Sequence, residues 1–242
     1  MSRTTIARVS LGAAFALVIP VLGGTGAVAD SHHDDAPAVR FATFNASLNR
    51  FNAGDLGAEL AVPGSAQPDT IAEIIQRTRP EVLLINEFDY DPAALASFQA
   101  NYLGVPHGDA EPIVYPYSFI APSNTGVFSG FDYDNSGAAG DFVPNDSYGF
   151  GFFPGQFGMA VLSKYPIDLA NVRTFQLFKW KDMPGALLPE DPPGTPWYTP
   201  GPELDSFRLS SKSHWDVPIM VDGRTVHFLA SHPTPPVFDG PE

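Results

Sequence analysis

The sequence contains no cysteine. Disulfides are therefore excluded, and stability has to come from core burial and from any bound cations. Basic residues are also scarce, 13 Lys and Arg against 27 Asp and Glu, for a formal net charge of −14 at pH 7. A surface of that sign repels polyanions at long range, so the chain unaided is a poor nonspecific binder of nucleic acid. A good membrane span is missing as well. The apolar segment from Val9 to Val21 is too short for one and is interrupted by Ser10, Gly12 and Pro20.

That segment reads instead as the centre of a secretory signal peptide over residues 1–29. Arg3 and Arg8 give it a basic start, and Ala27-Val28-Ala29 supplies the small-x-small cleavage pattern before Asp30. An uncleaved N-terminal anchor is the alternative. No two arginines are adjacent, which favours the general export route over the twin-arginine one. The mature protein is expected to be secreted or periplasmic, with no stable membrane insertion after cleavage. Residues 30–38, with His32-His33 and Asp34-Asp35, are expected to form a mobile polar leader.

What remains is long enough to bury a sizeable core, and the 44% hydrophobic fraction marks it as globular. With 25 Pro and 22 Gly, about a fifth of the residues, long loops should separate the regular elements. Val39–Phe44 reads as a first strand ending in Asn45, and residues 46–68 as loop. A helix capped by Asp69 follows, with Ile71, Ile74, Ile75 and Thr78 on one face and Pro80 as its stop. Val82-Leu83-Leu84-Ile85 is a short strand buried on both faces, with Glu87 at its carboxyl end. A carboxylate there costs several kcal/mol of desolvation unless something pairs with it, and a hard divalent cation is one such partner.

Asp91-Pro92 caps a second helix that buries Leu95, Phe98 and Tyr102, and Tyr117–Ala121 is a short strand. Asp132-Tyr133-Asp134-Asn135-Ser136-Gly137 matches the first half of a calcium loop, but the twelfth position is Val143 and not a bidentate Glu. A solvated acidic turn and a structural Ca²⁺ site held by Asp132 and Asp134 both fit. The Gly and aromatic run from Gly149 to Gly158 should form a tight loop that packs aromatics, feeding a strand over Met159–Leu162. Pro184–Pro202 reads as a long surface excursion.

Asp222-Gly223 between Val217–Val221 and Thr225–Ala230 predicts a hairpin with a type I′ turn. Alternation puts Val226, Phe228, Ala230 and His232 on one side and His227 on the other. Three strands thus deliver Asn45, Glu87 and His232 to their carboxyl ends. A carboxamide orients, a carboxylate holds a metal and an imidazole stabilises or protonates a phosphoryl group, a set suited to phosphoester hydrolysis.

Four stretches resemble, in order, successive motifs of the endonuclease/exonuclease/phosphatase family: Arg40–Asn45, Arg79–Glu87, Gly158–Ile167 and Val226–Pro233. The resemblance implies an α/β fold, a two-sheet sandwich flanked by helices, and Mg²⁺-dependent (or Mn²⁺-dependent) cleavage of a phosphoester. The substrate would be a nucleic acid, a small phosphoester or a phospholipid head group. On the family pattern Asn45 helps orient the scissile phosphate, Glu87 holds the metal and His232 lies against the reacting phosphate. Lys212, or more weakly His214, corresponds to the basic contact upstream of that histidine, and either is equally readable as an ordinary surface residue.

The family's later Gly-Asp-x-Asn and Ser-Asp-His motifs do not occur in the sequence. Residues 39–242 are accordingly expected to be the N-terminal part of the domain, with the second sheet incomplete and catalysis weak. The competing expectation is a non-catalytic exported Ca²⁺-binding domain, or a decayed gene product that keeps the first-sheet framework.

Overall fold

A computed structural model describes residues 38–234. The leader over 1–29 and nearly all of 30–38 lie outside the described residues. Two sheets face each other. The first, ordered β1-β2-β4-β3, consists of β1 (Phe41–Leu48), β2 (Val82–Phe88), β3 (Tyr117–Ile120) and β4 (Met159–Ser163). β1 and β2 run parallel, so their carboxyl ends emerge at the same edge, while β4 is antiparallel to both its neighbours. The second sheet is an antiparallel β5-β6-β7 set, with β5 (Arg173–Thr174), β6 (His214–Val221) and β7 (Arg224–Ser231).

Alternation along β2 builds both cores. Leu83 and Ile85 point toward the helices α1 (Asp55–Leu60), α2 (Ala66–Thr78) and α3 (Pro92–Phe98), in a cluster with Leu56, Leu60, Ile75, Phe98 and Tyr102. Val82 and Leu84 point the other way, packing with Val161, Trp215, Val217, Ile219 and Ala230 between the sheets. Trp215 is 1% exposed and meets Phe119 edge-on at 4.9 Å. Truncating such a ring to Ala costs about 3–5 kcal/mol.

The outer face of the second sheet is open by comparison, with Leu229 74% exposed. The chain is α/β, two sheets with helices on the outer face of the first, and the second sheet has three strands among the described residues.

Three expectations need correction. First, α1 lies inside the stretch 46–68 read as loop. Its Gly57 brings it against α3, since a Cβ there would sit 2.7 Å from Asp91 Oδ2.

Second, α2 starts at Ala66 after Ser65, and not at Asp69. Pro68 is accommodated because first-turn amides have no intrahelical partner. The buried stripe of α2 is Ile71, Ala72, Ile75 and Gln76, with Ile74 42% exposed. The buried Gln76 Nε2 donates to the carbonyls of Leu103 and Val105 at 3.1 and 2.6 Å, fastening the single π-helical turn that continues α3.

Third, β1 does not end at Asn45. It passes through an irregularity between Asn45 and Leu48, with Ser47 at φ 50°, and rejoins β2 at the Leu48–Phe88 pair. The hairpin matches its expected register: Asp222 and Gly223 have φ of 48° and 77°, the two left-handed residues of a type I′ turn.

Candidate active site

The shared carboxyl edge of β1 and β2 presents Asn45 and Glu87 side by side. Asn45 Nδ2 donates to Glu87 Oε1 at 2.9 Å, and the Asn45 carboxamide oxygen is held by the Ser47 amide at 3.1 Å. The irregularity in β1 turns the chain so that a second carboxamide reaches the same group, Asn49 Nδ2 donating to Glu87 Oε2 at 3.2 Å. Glu87 itself is at φ 58°, a conformation that costs a non-glycine residue about 1–3 kcal/mol and that surrounding structure must enforce. It is enforced from the next residue. Phe88 is fully buried, and its N–H donates to the Gly158 carbonyl at 3.1 Å.

β7 brings the third group. His232 follows its last residue, and His232 Nε2 lies 3.6 Å from Glu87 Oε1 with the imidazole side chain 14% exposed. Burial, and then the charge of Lys212, push the His232 pKa below its ordinary value, with Glu87 opposing both. The pKa of Lys212, which stands just before β6, is itself lowered by burial, with the charge of Glu87 opposing. Asn45, Glu87, His232 and Lys212 therefore converge at one place.

His214 does not join them. It opens β6 and lines a neighbouring cavity, partial burial lowering its pKa. His227 turns to the opposite face of the hairpin, its Nδ1 2.7 Å from Asp216 Oδ1.

Two residues escaped the sequence reading. Asn49 lies in the stretch taken for loop, and its only signal was a second carboxamide four residues after the first. Asp89 follows the strand, and burial raises its pKa to about 6 against the pull of the Arg50 and Phe157 amides, which donate to it at 2.8 and 3.1 Å. It fastens the loops on either side of Glu87.

Asp132 and Asp134 converge elsewhere, with Asp146, so that one oxygen from each lies within 4.8 Å of the others. Their oxygens accept local donors. Asp132 takes Ser136 N and Gly137 N at 3.0 and 2.8 Å, Asp134 takes Asn145 Nδ2 at 2.8 Å, and the buried Asp146 takes Tyr133 N and Gly140 N at 2.7 and 2.6 Å.

Comparison with known proteins places the chain in a family. The model of the endonuclease/exonuclease/phosphatase family matches residues 42–239, most of the chain. The chain belongs to the endonuclease/exonuclease/phosphatase family. Members of this family are hydrolases of phosphoester bonds.

Two solved structures are similar. One is an endonuclease/exonuclease/phosphatase family protein from Leptotrichia buccalis C-1013-b, with 15% identity and TM-score 0.39 over 84% of this chain and 57% of that one. The other is an endonuclease/exonuclease/phosphatase from Beutenbergia cavernae DSM 12333, with 18% identity and TM-score 0.36 over 79% of this chain and 37% of that one. The chain thus spans a little over half the length of the first and over a third of the second. No curated protein matches. Among the described residues no helix is long and apolar enough to cross a membrane.

Proposed function

We propose that this chain is the N-terminal part of an exported, divalent-metal-dependent phosphoesterase whose reacting phosphate sits against Glu87, Asn45, His232 and Lys212. The observation that carries the reading is the convergence on one strained strand-end carboxylate of two carboxamides, an imidazole and an ammonium group. The group that fits a hard cation is Glu87, whose carboxylate oxygens are the ligand class of Mg²⁺ or Mn²⁺, while Asn45 turns its amide nitrogen to that carboxylate and its oxygen to the Ser47 N–H. When bound, such an ion supplies Lewis-acid polarisation of a phosphoryl oxygen.

The chain's own residues do the rest. His232, kept neutral near pH 7 by burial and by Lys212, can donate an N–H to a phosphoryl oxygen. Lys212 offsets the phosphate's charge in a half-buried setting where that attraction is little screened. Asn45 and Asn49 fix the Glu87 rotamer.

The residues that would activate the attacking water belong to family motifs not found in these 242 residues. Turnover by the chain itself is therefore expected to be weak, since losing a general base costs a factor of about 10²–10⁴. The test is calorimetric binding of inorganic phosphate to the mature chain with and without Mg²⁺. Saturable binding that needs Mg²⁺ and is lost in Glu87→Gln is expected, and Mg²⁺-independent binding would sink the reading. Robust turnover of a phosphodiester, abolished by Glu87→Ala, would overturn the expectation of weak catalysis.

A second reading has one observation in its favour, the convergence of Asp132, Asp134 and Asp146. In it the protein is an exported non-catalytic domain that holds Ca²⁺ in this loop. Ca²⁺ raising the melting temperature of the wild type but not of Asp134→Asn, with no Mg²⁺ effect at Glu87, would favour it.

A further inference from the structure

Beside the candidate active site lies a cavity of about 530 Å³, a size typical of small-molecule sites. Its position is set by the same strands. Ser211 and His214 bracket Lys212 in sequence, Pro233 and Thr234 follow His232, and all four line it. A phosphate held by Lys212 and His232 would therefore have its organic substituent next to this opening.

The walls are aromatic and come from separate parts of the chain: Tyr148, Phe150, Trp180, Trp197, Tyr198 and Phe207. Part of this set is loop core, because Tyr198 is buried and stacks on Phe207 at 4.2 Å. Tyr148, Trp180 and Trp197, however, are only half-buried, and Phe150 is 49% exposed. These rings therefore keep area in reserve beyond what the loop core uses.

The wall is seated rigidly on the catalytic edge. A Cβ at Gly149 would lie 2.0 Å from the Ser211 carbonyl oxygen, so the loop carrying Tyr148 and Phe150 packs backbone to backbone against the residue before Lys212. Ser210 also lines the cavity, and its buried Oγ has no hydrogen-bond partner among the described residues.

Charge narrows the ligand. The cavity's one guanidinium, Arg208, lies 3.8 Å over the Tyr148 ring and donates to Asn124 Oδ1 at 2.5 Å, while Asp134 contributes a carboxylate to the lining. A substituent carrying several further phosphates would need more cations than this. A polymer would meet the strongly acidic surface and a compartment sized for one small group.

We infer that this cavity is the leaving-group subsite of the phosphoesterase and selects small phosphoesters whose organic group is a flat unsaturated ring, stacked between the aromatic walls. The inference rests on the phosphoesterase reading above.

It is tested by calorimetry on the mature chain with Mg²⁺, using phenyl phosphate, glycerol 3-phosphate and inorganic phosphate. Phenyl phosphate is expected to bind about tenfold more tightly than glycerol 3-phosphate, the scale of a favourable ring contact. Trp197→Ala should bring that ratio close to one and leave inorganic phosphate binding unchanged. Phe150→Ala, at an exposed wall position, should lower the ratio without risk to the fold. Equal affinity for the two esters in the wild type, or a ratio that survives both substitutions, overturns the inference while leaving the phosphate site intact. Failure of all three ligands to bind overturns both. Replacing phenyl phosphate by adenosine 5′-monophosphate then distinguishes a simple aryl group from a nucleobase as the natural ring.

Discussion

Glu87 and the Asp132–Asp134–Asp146 group are both acidic places in the same chain, and they are built in opposite ways. The three aspartates gather more carboxylate in one spot. Yet the donors they meet are mainly local backbone amides, Tyr133, Ser136, Gly137 and Gly140, all within the loop they order. Glu87 is a single carboxylate reached by groups 42, 38 and 145 positions away in sequence, Asn45, Asn49 and His232. Local donors shape a loop; distant side chains meet at a strained strand end only through the tertiary fold.

The sharpest way to break this contrast is Glu87→Gln. Mg²⁺ affinity, measured by calorimetry, should fall by at least about a hundredfold, with thermal stability little changed. A large loss of stability with unchanged affinity would make Glu87 a structural residue like the aspartates. Asp146→Ala should do the reverse. It strips one buried and one half-buried amide, Tyr133 and Gly140, of their acceptor and should cost about 2 kcal/mol in urea denaturation, with or without Ca²⁺.

A smaller effect is expected for Asn49→Ala, about tenfold in Mg²⁺ affinity, because it only orients Glu87. The smallest calibrates the scale with a third carboxylate, Asp216. Its pKa is held below the ordinary value of 3.8 by the Arg173 guanidinium first and then by His227. A depressed carboxylate contributes stability that is present above its unfolded pKa and lost as pH falls through the folded one. The melting temperature of the wild type should therefore drop more steeply below about pH 4 than that of Asp216→Asn.

The sequence made legible whatever depends on a short period. Val82–Ile85 could be read as buried on both faces because four consecutive large apolar residues admit little else. Val226, Phe228 and Ala230 could be read as one face because alternation has period two. Asn45, Glu87 and His232 followed from those strands, and the structure places them together.

Other features lacked such a period. Helix α1 is too short to show one, and its Gly57, which permits close packing on α3, looks like a loop residue. Asn49 acts only through the turn that Ser47 makes in β1. The aromatic cavity draws its walls from residues 133 to 234, far apart along the chain and joined only by the tertiary fold.

The two-residue turn at Asp222-Gly223 has a consequence that reaches the far end of its hairpin. His232 lies nine positions beyond Gly223, about 30 Å of extended chain. Over that length the turn acts as a ruler for the candidate active site. One residue added to it would slide β7 by a single step and exchange its two faces. His232 would then be carried away from Glu87, with no atom beside Glu87 itself having been altered.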